Sequence, residues 1–273
     1  MKATSLSLGI LAGLLASQAL CSQTEDSIST QDFVCSHPPY QVHLISSSPL
    51  VIYIKNFLTP TERAHLVAAS QSKFRRSIVS SGSSTSGRTS QSAYIPRDPV
   101  VECIEERVLN FQGLSVASST HLEPIQLVKY ASDEHYHLHN DWFPASQVSS
   151  AATGGNRKSS FFAYVYVRND TTGGGTNFPY LSAFDEGSAV DEKWCDILDC
   201  DEPSEKGVTF RPVEGNAVYW ENLVPGDGGR RKGDHRTLHA GSPVTGGEKV
   251  GLNIWTREGP LSPEVRESIE YPS

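Results

Sequence analysis

The sequence predicts an α+β fold in which two helices precede a core of about eight short β-strands, arranged as a β-sandwich or a jelly roll. Helix signals, namely N-terminal caps and apolar residues spaced by four, occur before Pro124. After Pro124 the apolar residues recur at every second position, which is the period of a β-strand. Turn-forming residues separate these runs, so the second half of the chain is predicted to consist of strands.

The N-terminus has the pattern of a secretory signal peptide. Lys2 precedes an apolar core at about residues 6–15, and small residues follow it. We therefore expect residues 1–21 to be a signal peptide, with an uncleaved membrane anchor as the alternative. Residues 22–45 are rich in Ser, Gln and Asp and are predicted to be a loose segment, whereas residues 46–273 should form a single domain. The expected location is the secretory pathway, either the endoplasmic reticulum lumen or outside the cell.

The cysteines support an oxidising compartment. The chain has five, and cleavage after the first of them would leave four. An even number in such a compartment favours disulfides. Cys195 and Cys200 enclose four residues in a polar loop, so we predict that they pair, which leaves Cys35 to pair with Cys103. Zinc is the alternative, although a lone C-x4-C without a second pair supports it weakly.

The composition argues against nucleic-acid and membrane partners. The formal net charge is −8, and the basic run 230–232 is short and flanked by glycine, whereas nucleic-acid-binding proteins present a continuous basic patch. Beyond the N-terminal segment, no stretch is long and apolar enough to span a membrane. We expect no membrane contact unless residues 1–21 remain as an anchor. The sequon that begins at Asn169 predicts a glycan acceptor.

Both helices have explicit start signals. A largely apolar run at 51–57 predicts a strand, after which Thr59 and Glu62 form a capping box with proline at the first helical position. This predicts a helix from residue 60 to about residue 72. Asp98, followed by proline, begins the second helix. One face of that helix carries Val100, Ile104 and Val108.

Strands and turns account for most of the remaining chain. The predicted strands lie at 125–130, at 161–167, on both sides of the turn Glu214-Gly215-Asn216, and at 249–257. Two polar stretches, 80–87 and 144–160, interrupt this pattern. Both are predicted to be loops that suit a long substrate, and the first is either a linker or a lid over a site.

Candidate metal ligands are concentrated in one stretch. His135, His137, His139 and Asp141 occupy every second position. On an extended strand these four side chains would project from one face. Imidazoles and a carboxylate that converge in this way can bind a divalent metal. A cupin-like His-x-His site is an alternative, but it also needs a glutamate a few residues later, and none follows.

A further histidine and a lysine lie near the end of the chain. His239 lies 100 residues after His139, directly before a β-forming tail, and Lys249 follows ten residues later. Two histidines and one carboxylate can occupy one face of an octahedral iron and leave three positions open. A cation in the same barrel would anchor the far carboxylate of a 2-oxo acid that chelates the metal.

An ordered series of motifs accompanies these residues between about Leu50 and Trp255. The motifs are Tyr53-Ile54-Lys55-Asn56-Phe57-Leu58, Arg88-Thr89-Ser90, Tyr130 with Tyr136, His139-x-Asp141-x-Phe143, Gly173-Gly174-x-Thr176-x-Phe178-Pro179, Gly215-Asn216-Ala217, His239-Ala240-Gly241-x-Pro243-Val244, Gly247-x-Lys249 and Trp255. In this order they resemble the catalytic domain of the prolyl 4-hydroxylase family, within the iron(II)/2-oxoglutarate dioxygenase superfamily. The resemblance implies a double-stranded β-helix (jelly-roll) core with N-terminal flanking helices.

The resemblance also implies roles for matched residues. The residues expected to ligate iron(II) are His139, Asp141 and His239. Those expected to bind the co-substrate 2-oxoglutarate are Lys249, which would pair with its C5 carboxylate, Tyr130 and Thr176. Those expected to line the substrate groove are Arg88 and Trp142. The chain departs from the usual family residues, none of them an iron ligand, at Asp133, Gly175, Ser242 and Val250.

The implied reaction is hydroxylation of peptidyl proline at C4. It consumes O2 and converts 2-oxoglutarate to succinate and CO2, and L-ascorbate keeps the iron reduced. The expected partner is therefore a proline-containing polypeptide. Two alternatives remain open, namely the same chemistry on a free amino acid or small metabolite, and a catalytically silent jelly-roll binding module.

Overall fold

The computed structural model describes residues 33–77, 87–148, 153–182, 192–203 and 206–270. These residues contain sixteen strands and three α-helices. The predicted signal peptide and residues 80–86 of the first polar stretch lie outside these ranges. The helices are α1 (Pro60–Ser70), α2 (Pro99–Phe111) and α3 (Pro263–Glu270). The strands are β1 (Gln41–Ser47), β2 (Leu50–Lys55), β3 (Arg75–Arg76), β4 (Gln91–Tyr94), β5 (Gln126–Ala131), β6 (Tyr136–His139), β7 (Arg157–Val167), β8 (Thr172–Gly173), β9 (Thr176–Phe178), β10 (Val208–Phe210), β11 (Ala217–Glu221), β12 (Leu223–Pro225), β13 (Arg231–Gly233), β14 (His239–Gly241), β15 (Val244–Gly246) and β16 (Glu248–Arg257).

The start of α1 is formed by the predicted capping box. The Thr59 hydroxyl accepts a hydrogen bond from the Glu62 backbone N–H at 3.1 Å, and the Glu62 carboxylate accepts one from the Thr59 N–H at 2.8 Å. Both otherwise unpaired donors are therefore satisfied. Glu62 also forms a buried ion pair with Arg107 of α2, with 2.6 Å between Oε1 and Nη2. This pair links the two helices.

The second helix also begins and packs as predicted. The Asp98 carboxylate accepts hydrogen bonds from the N–H groups of Val100 and Val101, both at 2.9 Å. Val100, Ile104 and Val108 are at most 2% exposed and belong to the larger hydrophobic core. The apolar face of α2 therefore lies against the sheet.

The main sheet has eight antiparallel strands in the order β1-β2-β11-β7-β16-β5-β4-β3. Its central strand β7 is buried on both faces. Phe161, Ala163 and Val165 belong to the core shared with the helices, whereas Phe162 and Tyr164 belong to a second core on the other face. A four-stranded sheet, β10-β9-β14-β6, contributes Phe178 and other residues to that second core. The described fold is thus mostly β, with two larger sheets, the two-stranded pairs β12–β13 and β15–β8, and flanking helices.

Two boundaries differ from the sequence prediction. The segment expected to be loose up to residue 45 contains β1, which pairs with β2. Because β1 is an edge strand, Val42 and Leu44 are more than half exposed and the strand lacks a clear buried face. The polar stretch 144–160 also ends earlier than expected, since β7 begins at Arg157. The two serines of β7, Ser159 and Ser160, are fully buried and hydrogen-bonded.

Both predicted disulfides are present. Cys35 is bonded to Cys103 of α2, and Cys195 is bonded to Cys200. Asn169 is exposed in the turn after β7, where a glycan could be attached. In the described ranges, none of the helices has the length and apolar character needed to cross a membrane.

Candidate metal centre and active site

The three predicted metal ligands meet where β6 and β14 pair. His139 ends β6, His239 begins β14 opposite it, and Asp141 follows two residues after His139. The Nε2 atom of His139 lies 3.9 Å from Oδ1 of Asp141, and that of His239 lies 3.9 Å from Oδ2. One donor atom from each residue lies within 4.8 Å of the other two. The cluster can therefore surround one metal ion.

The hydrogen bonds of the two imidazoles orient them for metal binding. Nδ1 of His139 lies 2.8 Å from the His137 carbonyl oxygen, and Nδ1 of His239 lies 2.9 Å from that of Thr237. A carbonyl oxygen only accepts hydrogen bonds, so each Nδ1 carries the proton. The Nε2 lone pairs are then directed at the space beside Asp141, as in metal-ligating histidines. The donor set fits a divalent metal.

Electrostatics favour the protonation states that a metal needs. Burial and the neighbouring His239 lower the pKa of His139 to about 3. Burial would raise the pKa of Asp141, but the charges of His239, His139 and Arg157 outweigh it and lower that pKa to about 2. At neutral pH the His139 ring is therefore neutral and Asp141 is ionised.

The expectation that His135 and His137 share a face with His139 is wrong. His139 pairs with His239, whereas Tyr136 pairs with Gly241, so one strand has an additional residue in this interval. Such a β-bulge breaks the two-residue alternation. As a result the Tyr136 ring stacks on His139, with 3.6 Å between ring centroids. His135 and His137 stack on each other and line a separate groove.

The triad opens into a cavity of about 580 Å³, within the size range of small-molecule sites. Its walls include the two predicted groove residues and two of the three predicted co-substrate residues, namely Arg88, Trp142, Tyr130 and Thr176. The aromatic side chains of Tyr136, Phe143 and Trp255 also line it. The cavity thus combines polar groups with flat apolar walls.

Lys249 is a buried cation beside this cavity. It is 0% exposed in β16, and its ammonium donates to the Gly174 carbonyl and lies 4.7 Å from the centroid of the Tyr130 ring. Within the described ranges, no carboxylate pairs with it. Burial lowers the pKa of Lys249 to about 7. A buried ammonium without a counter-ion is unfavourable, so this site fits an anionic ligand.

The glycine-rich turn between β8 and β9 makes room for this lysine. A Cβ on Gly174 would lie 3.3 Å from Cδ of Lys249, and the residue has a φ of +70°. Both features favour glycine.

The predicted co-substrate residues Thr176 and Tyr130 carry hydroxyl groups near Lys249. The hydroxyl groups of Thr176 and Tyr164 lie 2.8 Å apart. Burial raises the pKa of Tyr130 to about 12, so its phenol stays protonated and can donate a hydrogen bond.

The two predicted groove residues are held by specific contacts. Arg88 is 9% exposed, donates from Nε to the Ser90 hydroxyl at 3.0 Å, and lies 4.5 Å from the centroid of the Tyr136 ring. Trp142 donates from its indole to the Asp234 carbonyl at 3.1 Å. Both side chains border the cavity.

Several residues around the site were not identified from the sequence. Arg157 donates to both oxygens of the buried Glu123 at 2.8 and 2.9 Å, and its guanidinium lies 3.7 Å from the Trp255 ring centroid. Arg257 donates to the same carboxylate at 2.6 Å. The two arginines hold the pKa of Glu123 below its usual range despite its burial. The available signal was a charged residue at the end of an apolar strand, namely Arg157 at the start of β7 and Arg257 at the end of β16. The sequence spacing does not show that both pair with Glu123.

Comparisons with known proteins agree with this geometry. Residues 125–257 match the model of the 2OG-Fe(II) oxygenase superfamily. Prolyl 4-hydroxylase 2 of Arabidopsis thaliana is 30% identical over 228 residues, which cover 80% of this chain and 70% of the relative. Probable prolyl 4-hydroxylase 4 of the same plant is 28% identical over 254 residues, which cover 90% and 80%.

A solved structure supports the fold. The viral collagen prolyl hydroxylase of Paramecium Bursaria Chlorella virus-1, in its 2OG complex, superposes with a TM-score of 0.52 at 21% identity, and the match covers 82% of this chain and 99% of the viral one. Together with the identity to the plant enzymes over most of their length, this confirms the resemblance noted in the sequence. The chain belongs to the prolyl 4-hydroxylase family of the 2-oxoglutarate- and iron(II)-dependent dioxygenases.

Proposed function

We propose that the protein hydroxylates peptidyl proline at C4, using iron(II), 2-oxoglutarate and O2 and releasing succinate and CO2. The observation that carries this proposal is a cavity lined by His139, Asp141 and His239 with the buried Lys249 directly behind its Tyr130 and Phe162 walls. The relatives named prolyl 4-hydroxylases support the choice of substrate. The intact set of candidate ligands argues against a silent binding module.

His139, Asp141 and His239 would hold the iron. Two imidazoles and a carboxylate are the ligand set of non-haem oxygenases, and they leave metal positions open for other ligands. When bound there, iron(II) would activate O2 together with 2-oxoglutarate, so that O2 supplies the oxidising power to place oxygen on an unactivated C–H bond. The protein's contribution is to keep the three side chains in place and to limit access of water to them.

Lys249 would bind the C5 carboxylate of 2-oxoglutarate. Its ammonium is enclosed by Tyr130, Phe162 and Tyr164, whose ring centroids lie 4.7, 5.6 and 5.9 Å away. A carboxylate there would supply the counter-ion that the buried cation lacks, and charge-assisted hydrogen bonds are stronger than neutral ones. The hydroxyl groups of Tyr130 and Thr176 would donate further hydrogen bonds.

Arg88 and Trp142 would position the polypeptide substrate. A proline ring is compact and apolar on its faces, and the aromatic walls of the cavity suit it. Arg88 can donate to backbone carbonyls of an extended peptide, since its Nη groups have no carboxylate partner in the described ranges. A free amino acid remains the second candidate substrate, which the experiment below distinguishes.

We also infer that the two sheets form a double-stranded β-helix and that residues 46–273 are one catalytic domain. The face-to-face sheets, with the candidate ligands between them, support this architecture. The two disulfides, the exposed sequon at Asn169 and the signal-peptide pattern of residues 1–21 support the secretory pathway, either the endoplasmic reticulum lumen or export. L-ascorbate is the proposed reductant of the iron.

Turnover assays test this proposal. Purified protein is incubated with iron(II), ascorbate and 2-oxoglutarate, together with either proline-rich peptides or free proline. We expect succinate release that depends on the peptide, together with a one-oxygen gain in the peptide mass. Oxidation of free proline alone would favour the small-molecule substrate. No succinate from iron-loaded protein under any condition would contradict both.

A further inference from the structure

One oxygen of Asp141 is occupied by donors from the protein. The Ser160 hydroxyl donates to Oδ2 at 2.6 Å, and the Trp255 indole donates to the same oxygen at 3.0 Å. Among the described residues, no hydrogen bond is donated to Oδ1, which lies 3.9 Å from Nε2 of His139. The carboxylate is therefore asymmetric, with one oxygen held by the protein and the other available.

The Ser160 hydroxyl is in turn oriented by Asn222. The side-chain Nδ2 of Asn222 donates to Oγ of Ser160 at 2.9 Å, and both residues are 0% exposed. An ionised carboxylate only accepts hydrogen bonds, so the Ser160 proton must point to Asp141. Ser160 can then only accept from Asn222, which must present its amide N–H. The acceptor-only carboxylate therefore fixes the direction of both hydrogen bonds, from Asn222 to Ser160 and from Ser160 to Asp141.

Backbone hydrogen bonds hold Asn222 and Ser160 in place. The Asn222 N–H donates to the Lys158 carbonyl at 2.9 Å, and the Asn222 carbonyl accepts from the Asp234 N–H at 2.8 Å. Ser160 lies in β7, where it is paired with Trp220 of β11 and with Trp255 of β16. The two donors to Asp141 therefore come from neighbouring, hydrogen-bonded strands, which cannot shift independently.

We infer that Ser160 and Asn222 are positioning residues that hold the Asp141 carboxylate in one orientation and thereby set the affinity of the site for its metal. The inference rests on the proposed iron site at His139, Asp141 and His239. Hydrogen bonds to a metal-ligating carboxylate fix its orientation, and loss of such a partner lowers metal affinity by about 10–100-fold. Without the Ser160 hydroxyl, Oδ2 keeps only the longer hydrogen bond from Trp255, and the carboxylate is less firmly oriented.

Anaerobic titration of the full chain with Co(II), followed by visible absorption, measures the metal Kd directly without turnover. We expect Ser160→Ala to raise the Kd about 10–100-fold. Asn222→Leu, which removes the donor but keeps the volume, should raise it by a smaller factor. The matched control is Ser159→Ala, because Ser159 is equally buried in the same strand but donates to Gln112 at 2.7 Å instead. Its Kd should equal that of the wild type.

Two further variants separate positioning from general damage to the fold. Because Asn222 acts through Ser160, adding Asn222→Leu to Ser160→Ala should not raise the Kd further, which a double-mutant cycle would reveal. Ser160→Thr retains the hydroxyl and should restore the wild-type Kd. If Ser160→Ala does not fold, the comparison of Asn222→Leu with the wild type decides.

Three results would overturn the inference. The first is an equal Kd for the Ser160→Ala and Ser159→Ala variants, and the second is independent, additive effects of Ser160→Ala and Asn222→Leu. The third is an unchanged Kd for Asn222→Leu. A wild-type protein that binds no Co(II) would instead overturn the iron site itself, and this inference with it.

Discussion

At the scale of single residues, Lys249 is the group on which the proposed co-substrate site depends. It is fully buried, and in the described ranges it has hydrogen-bond and aromatic neighbours but no carboxylate. Such a group opposes folding in the ligand-free protein, because the charged ammonium loses its hydration. A bound dicarboxylate would reverse this effect. The same residue should therefore lower stability without ligand and raise affinity for it.

Replacing Lys249 separates these two effects. Lys249→Met keeps most of the stem and removes the charge, so we expect the ligand-free protein to be at least as stable as the wild type. The Kd for 2-oxoglutarate should rise by roughly a hundredfold or more, because loss of one partner of a buried ion pair costs about 3–5 kcal/mol. Thermal unfolding and calorimetric titration of the Co(II)-loaded protein measure the two quantities.

Lys129→Met is the matched control for this substitution. Lys129 lies in the adjacent strand β5, is one-third exposed, and pairs with Glu248 at 3.0 Å. Exposed pairs contribute little, so its effect on the 2-oxoglutarate Kd should be negligible. Equal Kd values for the two variants would contradict the assignment of Lys249.

The pH dependence of binding follows from the lowered pKa of Lys249. In the ligand-free protein this pKa is about 7, whereas the ordinary value is 10.5. Only the protonated amine attracts a carboxylate, so the Kd for 2-oxoglutarate should be constant below pH 7 and rise about tenfold per pH unit above it. Calorimetric titrations between pH 6 and pH 9 would show this slope, and Lys249→Met should abolish it. A flat profile in the wild type would contradict the proposed charge pairing.

The lowered pKa of Lys249 also makes the stability of the ligand-free protein depend on pH. Between pH 7 and 10.5 the unfolded chain binds a proton at Lys249 that the folded, ligand-free protein does not. Stability rises with pH wherever the unfolded state binds more protons. Lys249 should therefore make the ligand-free protein more stable as the pH rises through this window.

At the scale of secondary-structure elements, the hairpin β12–β13 positions Trp142. The indole donates to the Asp234 carbonyl just after the hairpin. Gly233, the last residue of β13, lies against the ring, since a Cβ there would be 2.0 Å from Cδ2 of Trp142. The hairpin therefore holds one wall of the cavity by a close contact that only glycine permits.

Gly233→Ala should displace this wall. We expect the KM for a peptide substrate to rise about tenfold, which corresponds to about 1.4 kcal/mol of lost interaction, while the KM for 2-oxoglutarate stays unchanged. Steady-state kinetics with both substrates measure this. Gly259→Ala is the control, because the atoms nearest to a Cβ at this position lie 3.7 Å or more away. A peptide KM equal to the control would show that Trp142 does not contribute to the groove.

Elements with local signals were predictable, and those without them were not. The caps at Thr59 and Asp98 are made by neighbours in the chain, so both helix starts could be predicted. The bulge in β6 arises from pairing with β14, about a hundred residues away, and no local pattern marks it. The candidate ligands His139, Asp141 and His239 could be recognised by residue type and order, but not by the face of the strand on which they lie. The contacts of Ser160, Asn222 and Arg157 depend on strand order, which local sequence does not specify.

At the scale of the whole molecule, the helices, the main sheet and the smaller sheet form successive layers. The Cys35–Cys103 bridge fastens the N-terminal segment to α2 on the helical side. The cavity lies on the other side of the main sheet, where Phe162 and Tyr164 project. Global stability and ligand binding should therefore be separable.

Removing the Cys35–Cys103 disulfide tests whether global stability and ligand binding are separable. The two cysteines are 68 residues apart in sequence, and loss of a native disulfide from a small secreted domain costs about 2–5 kcal/mol. Urea unfolding of the Cys35→Ala/Cys103→Ala variant should show a loss of this size. At temperatures where the variant is folded, its 2-oxoglutarate Kd should equal that of the wild type. A weakened Kd under those conditions would show that the bridge also shapes the site.

The most direct test of the proposed reaction follows the two atoms of O2. The protein is incubated with iron(II), ascorbate, 2-oxoglutarate and a proline-rich peptide under ¹⁸O2, and the products are analysed by mass spectrometry. We expect one labelled oxygen in hydroxyproline and one in succinate, in equal amounts, and neither product from His139→Ala. Unlabelled peptide from a protein that has bound iron and 2-oxoglutarate, or full activity in His139→Ala, would contradict the proposed function.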